Sequence, residues 1–276
     1  MAMARPRWIT AMAAAVAFLV WSATPAAAEK QAERPGVDQL VAYFDSVVFG
    51  SEITGVKPLT HIWKWRQPLR VLVREYGEKV SRDGAGKQVR VLRQRHIKRR
   101  HFDFVQRHLS TLSRLTGTKT EDVEKSGNKA NLIINFVPRF QMGNPELANV
   151  DPDLLKRVAS QGGCYFLSWP DADTGTRIVK AVIVVNSELT MARKDHCVLE
   201  ELTQSLGLPN DIETAWPSIF SDNRSVRNPD RIRELSRLDT ILIKTLYDRR
   251  MTPGLPRAEA LRVARRVITE LDRRLP

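Results

Sequence analysis

The chain has 276 residues, 42% of them apolar, and carries 44 Lys and Arg against 31 Asp and Glu, a net charge of +13. That apolar share supports a packed core and excludes a wholly disordered chain, and the length suits one domain with helical extensions. The basic excess favours anionic partners, whether envelope components such as lipid headgroups, lipopolysaccharide and acidic glycans or an acidic protein. No nucleic-acid motif is present, so no dedicated nucleic-acid binding is expected.

Residues 1–28 read as a signal peptide. Arg5 and Arg7 supply a positive start, Met12 to Val20 is an apolar core too short to span a bilayer, and Ala26 to Ala28 offers a small-residue cleavage site before Glu29. Removing Arg5 and Arg7 leaves a charge of +11. No cysteine stands at the cleavage point for a lipoprotein anchor, and no later stretch is long and apolar enough to be a transmembrane segment. The expected product is soluble and exported, periplasmic or secreted.

Asp38 to Val48 predicts a short amphipathic helix closed by Gly50, and 58–68 a connector holding Trp63 and Trp65. Leu69 to Glu75 alternates like a strand, and 83–86 is a turn. His101 to Leu115 carries Phe102, Val105, Leu109 and Leu112 at helical spacing, with Gly117 just past its end. Asn131 to Val137 predicts a strand, Asp151 to Ser160 a helix, Cys164 to Ser168 a strand, and Arg177 to Asn186 the longest strand. A helix follows over about His196 to Leu206, then an irregular stretch over 209–229. Further helices are predicted over Leu235 to Tyr247 and Arg257 to Arg273.

The basic charge has two centres. One runs from Lys87 through Arg90, Arg93, Arg95, Lys98, Arg99 and Arg100 to Arg107. The other is C-terminal, from Arg257 to Arg274. Either is a solvated face or an anion-attracting surface. Cys164 and Cys197 are an even pair in an exported chain, which favours one disulfide over two buried thiols. Closing that loop constrains the unfolded chain by roughly 3 kcal/mol.

The stretch that bears most on function is Cys-x-x-Glu-Glu-x-x-Gln-Ser-Leu-Gly-Leu-Pro-Asn-Asp over 197–211. A zinc peptidase helix needs His-Glu-x-x-His, because two imidazoles one turn apart can face one metal, and a glycine then brings back a third ligand. Here Glu200 and Gln204 stand at the helix ligand positions, Gly207 at the glycine and Asn210 at the third ligand. Glu201 stands at the general base. Carboxylate and amide oxygens are hard donors that suit catalytic zinc poorly, so no metal ligand set and no cofactor is expected. His196 lies one turn before Glu200 and reads as a partly exposed histidine near a helix start. His61, His96, His101 and His108 supply no zinc site either. Three readings stand side by side: polar residues that bond neighbouring backbone, with Asn210 and Asp211 capping the following turn; a non-metal ligand cleft; and a hydrolase with Glu201 as base.

That run, with Pro-Ser-Ile-Phe-Ser-Asp over 217–222, Leu238 and Asp239, Leu-Tyr-Asp-Arg over 246–249 and the stop at Pro253 and Gly254, resembles a bacterial domain-of-unknown-function family numbered 2927. The likeness spans Trp65 to Gly254. It implies an exported, zincin-like relative of metallopeptidases with a degenerate zinc motif, and carries no established activity. It places Glu200, Glu201, Gln204, Asn210 and Asp211 along the old active-site cleft. Ser218 and Asp222 flank it, where a metzincin has its methionine turn. The expected architecture is α+β: one zincin-like domain over 35–255, a mixed sheet packed on helices, and an appended basic helix over 256–276.

Overall fold

A computed structural model describes residues 34–51, 57–160, 163–212, 217–221 and 232–275. The expected signal peptide and Asp222 lie outside the described residues. The architecture below belongs to the unit Pro35–Pro276.

It is a mixed α+β arrangement. Helix α1 (Val37–Phe49) is followed by β1 (Lys64–Trp65), β2 (Leu69–Arg82), β3 (Gln88–Arg95), α2 (Arg99–Thr116), β4 (Thr120–Asp122), the single turn α3 (Val123–Ser126) and β5 (Leu132–Val137). Then come α4 (Pro152–Ser160), β6 (Cys164–Pro170), β7 (Arg177–Asn186), α5 (Met191–Gln204), α6 (Arg237–Leu246) and α7 (Arg257–Arg274). Among the described residues no helix is long and apolar enough to cross a membrane.

The sheet runs β1-β7-β5-β2-β3. Its centre is parallel: β5 pairs with β2 on one side and with β7 on the other. Two flanking strands are antiparallel, β3 on β2 and β6 on β7. Short β1 and β4 pair in parallel with the remaining ends of β7 and β2.

The central strands are apolar on both faces because both faces are covered. From β7, Ile178, Ala181, Ile183 and Val185 enter the larger core with α1, α2, α5, α6 and α7, while Val182 and Val184 enter a smaller core with Met142, Leu155, Val158, Tyr165 and Leu167. From Ala181 to Val185 this is the two-residue alternation of a strand, and each buried Ile, Leu or Val contributes about 1.5–3 kcal/mol.

The C-terminal helix was expected as an appendage, yet it belongs to the larger core. Ala260, Ala264 and Ile268 are fully buried there. Arg257 makes a two-pronged bond to Asp45 of α1 at 2.7 Å, and Arg237 of α6 holds Asp272 at 2.8 Å. One basic centre is thus partly neutralised by packing.

The other basic centre contains a strand that the sequence reading did not assign. Residues 88–95 form a strand, and β2 runs on to Arg82 to pair with it over Glu75–Arg82. Beyond Glu75, β2 pairs only with β3, so this part is a two-stranded ribbon. Helix α2 then buries His101 and His108. His101 stacks on Phe136 at 4.4 Å and lies 3.0 Å from Glu75, with burial holding its imidazole below the ordinary value. His108 and Arg107 bind Asp195 of α5 at 2.6 and 2.7 Å. Burial alone would raise the Asp195 carboxyl, but these two partners outweigh it and hold it low.

Candidate functional site

Helix α5 begins at Met191, five residues before the expected start near His196, because Thr190 caps it by accepting from the Arg193 amide at 3.2 Å. Its first turns are polar yet buried. Lys194 donates to the Ser187 carbonyl at 3.1 Å, and Asp195 has the partners given above. A disulfide joins Cys197 on this helix to Cys164 at the start of β6.

The helix ends at Gln204 and the chain reverses at Gly207, whose φ is +109°. A Cβ there would stand 2.0 Å from the Trp63 carbonyl oxygen, so the position excludes every other residue twice, by dihedral and by space. The reversal is fixed by two long-range bonds: Trp65 Nε1 donates to the Ser205 carbonyl at 2.9 Å, and Tyr247 donates to the Leu206 carbonyl at 2.9 Å.

The reversal returns Asn210 and Asp211 towards α5, as the motif requires, but their polar groups are committed elsewhere. Gln204 Nε2 donates to Asp211 Oδ1 at 2.8 Å. Asn210 Nδ2 donates to the Ser46 carbonyl at 3.1 Å and to the Asp211 carbonyl at 2.9 Å, and its backbone amide reaches the Val47 carbonyl at 3.2 Å. Asn210 therefore caps the C-terminus of α1 and also bonds the residue that follows it; residues 213–216 of the turn expected to be capped lie outside the described residues. Glu200 lies 3.4 Å from His196 Nε2, while His196 Nδ1 bonds the Ile232 carbonyl at 2.8 Å. His196 is buried, contrary to the partly exposed histidine expected there.

These residues do not fit zinc. The three ligand positions present an amide bonded to a carboxylate, an amide bonded to carbonyls, and a carboxylate beside a histidine that is already engaged. Among the described residues, the grouping of ligand atoms tight enough for a metal is Cys164, Cys197 and Glu200. Its two sulfurs are bonded to each other and offer no thiolate.

An open space does remain. A cleft of about 230 Å³ lies over α5, with Glu201 and Gln204 lining it from the helix. Cys164 to Ser168 of β6 form one wall. Leu154 and Val158 of α4, Leu59, Trp63 and Pro209 add apolar surface, with Lys57 at the margin. Two polar atoms on lining residues, Trp63 Nε1 and Ser168 Oγ, are buried with no hydrogen-bond partner among the described residues. Burial, and then the charge of Glu201, push the neighbouring Tyr165 phenol above its ordinary value, and its hydroxyl donates to the Met142 carbonyl at 2.6 Å.

Glu201 and Gln204 are thus at the cleft; of the other residues expected to line it, Glu200, Asn210, Asp211 and Ser218 are not among its described walls, and Asp222 lies outside the described residues. Glu200, Asn210 and Asp211 lie beside it in the contacts just given. Ser218 is buried and donates to Asp239 Oδ1 at 2.5 Å, while the Ile219 amide reaches both oxygens of that carboxylate at 3.2 Å. Burial pushes the Asp239 carboxyl up against those donors, and Asp239 also closes the capping box of α6 with Ser236. Ser218 is therefore a tie between the 217–221 segment and α6. The residues that sequence reasoning missed are Trp63, Ser168 and the α4 pair. The one signal for them was the run of apolar residues in the connector, Leu59, Ile62, Trp63 and Trp65.

Comparison with curated proteins and with solved structures finds no match. A family model described as a protein of unknown function, DUF2927, matches residues 37–266, and the chain belongs to that family.

Proposed function

We propose that this protein is exported to the cell envelope and that the cleft over α5 binds a ligand without hydrolysing it. The observation that carries the reading is the internal pairing of Gln204 with Asp211 and of Asn210 with Ser46, which occupies the positions a zinc peptidase needs for metal. The cleft above them is open and mostly apolar, with the polar side chains Glu201 and Gln204 among its lining residues, the usual make-up of a small-ligand or side-chain pocket. A zincin-like origin is part of the proposal. It is supported by the parallel β2, β5 and β7, the antiparallel strand β6 at the cleft, and the helix α5 carrying Glu201 below it. Partners follow from charge: an anionic envelope component or an acidic protein.

The first test is the transition-metal content of protein purified without chelator, by elemental mass spectrometry. Less than a tenth of an equivalent is expected, and near-stoichiometric zinc overturns the reading. A second reading, a hydrolase using Glu201 as general base, is kept because Glu201 does line the cleft. Glu201→Gln separates the two. A hydrolase loses turnover, whereas a binding cleft shows none in either form.

A further inference from the structure

Three cations, Lys79, Arg93 and Arg95, share one face of the β2–β3 ribbon. The register sets Lys79 opposite Val91, Gly77 opposite Arg93 and Glu75 opposite Arg95, so these positions point the same way. Glu78, Val80, Arg90 and Gln94 belong to the opposite face. Lys79, Arg93 and Arg95 line a hollow of about 540 Å³, together with His96 and with Glu78 and Gln94 from the strands between them.

Two carboxylates lie close to these cations in the strands, and both are engaged elsewhere. Glu75, across from Arg95, is buried and held by Lys98 at 3.1 Å and by His101 at 3.0 Å. Glu78 accepts from Arg90 at 3.2 Å on the other face. Among the described residues these are the ribbon's ion pairs, and none includes Lys79, Arg93 or Arg95. The C-terminal basic helix contrasts with this, since Arg257 and Arg265 pair with Asp45 and Asp38.

Arg95 is also seated. Gly77 is buried although Lys79 and Val80 just beyond it are exposed. A Cβ there would overlap the Arg95 guanidinium, which lies across the glycine. Gly77 is directly opposite Arg93 and two residues before Lys79, so this seat holds the Arg95 guanidinium beside both. Glycine inside a strand weakens it and marks a close approach of this kind. Like charges held side by side repel, and a bound anion relieves them.

We propose that this face binds a phosphate group, either free or carried on a small ester. A tetrahedral dianion presents oxygens to donors on several sides, whereas a planar carboxylate offers two. Arg93 and Arg95 supply forked donors, and Lys79 a point charge. The hollow has the size of a small-molecule site and is roomier than bare phosphate needs, which favours the ester. The proposal rests on the anionic-partner part of the reading above and not on the cleft.

The test is a titration of the purified protein with glycerol 3-phosphate, inorganic phosphate and acetate at fixed ionic strength, followed by amide and arginine side-chain NMR signals. Glycerol 3-phosphate should shift the signals of residues 77–79 and 93–96 to saturation with one-to-one stoichiometry, and acetate should not saturate them. Tighter binding of the ester than of inorganic phosphate identifies a phosphorylated molecule as the source, and equal binding identifies free phosphate. Arg93→Gln should weaken binding about tenfold. Gly77→Ala keeps every charge but unseats Arg95, and should weaken binding about threefold or more. Its thermal midpoint should not fall, because the overlapped atoms are the far end of a flexible side chain and alanine suits a strand better than glycine. Absence of saturable shifts at these residues overturns the proposal. So does Gly77→Ala that binds like the parent while Arg93→Gln is weakened, since that marks diffuse positive charge without a built site. Neither result touches the metal content or the Glu201→Gln outcome on which the cleft reading stands.

Discussion

Reduction of the Cys164–Cys197 bond is the perturbation whose size follows most directly from the structure. The cysteines are 33 residues apart, and closing a loop of that length lowers the entropy of the unfolded chain by an amount worth about 4 kcal/mol at room temperature, somewhat above the rough 3 kcal/mol expected from the sequence. The bond also joins two walls of the cleft, because Cys164 lines it from β6 and Cys197 sits on α5 below. Urea unfolding of the oxidised protein and of protein reduced and kept in phosphine measures the effect. Both states keep the same side chains, so packing loss does not enter as it would with alanine variants. The reduced form should lose about 4 kcal/mol, and its thermal midpoint should fall by roughly 10 °C for a chain of this size. Its m-value should rise, because the uncrosslinked unfolded chain exposes more surface. A difference below about 1 kcal/mol would refute the loop-closure reasoning and place the bond's role in local geometry alone.

Gly207→Ala should cost about 3 kcal/mol or more, read as a drop in urea midpoint, because it adds a strained dihedral and a Cβ inside the Trp63 carbonyl. Asp171 is held well below the usual carboxylate range, first by the Arg177 backbone amide and then by Thr174 and the Arg177 guanidinium. The stability it contributes is therefore present above about pH 4 and lost as the pH falls. Asp171→Asn should be less stable than the parent at pH 7, with the gap beginning to narrow only below about pH 4 and continuing to narrow as the pH falls further, in paired urea titrations. Burial, with Arg66 nearby, lowers Lys64 to about 8, while its ammonium donates to the Leu246 carbonyl at 2.7 Å. Between that value and the unfolded value near 10.4 the unfolded chain binds the extra proton, so stability rises with pH across the window. Lys64→Met should abolish that rise, and a parent protein whose urea midpoint stays flat there would contradict the burial argument.

How much of this was legible in the sequence depends on where each segment's apolar residues go. The strand Arg177–Asn186 was read with its observed bounds, and β5 and α7 within a residue, because each buries a regular stripe. Strand β3 was missed because it is mostly exposed and shows no regular burial alternation, with only Val89 and Leu92 half-buried among its charged residues. The early start of α5 was missed because Lys194 and Asp195 look like surface residues until Ser187, Arg107 and His108 arrive from other elements. The site divides in the same way. Glu201 and Gln204 follow from helical spacing on one element. The cleft they line does not, because its other walls, Trp63, Ser168 and Val158, come from segments whose meeting is a property of the whole sheet.

The peptidase-like frame and its missing ligands have one physical account. In a metal site the ion orders the helix end, the reversal and the returning strand of chain, since ligand groups that converge without it would be unpaired polar groups near the core. Here each of those duties has an internal substitute. The Gly207 turn is locked by Trp65 and Tyr247, the Gln204 amide is satisfied by Asp211, Asn210 is spent on the end of α1, and Cys197 ties the helix to β6. Nothing in that set needs an ion to fold, so chelator should leave the unfolding midpoint where it is. The cleft is then held by the scaffold alone, with Glu201 and Gln204 among its lining residues.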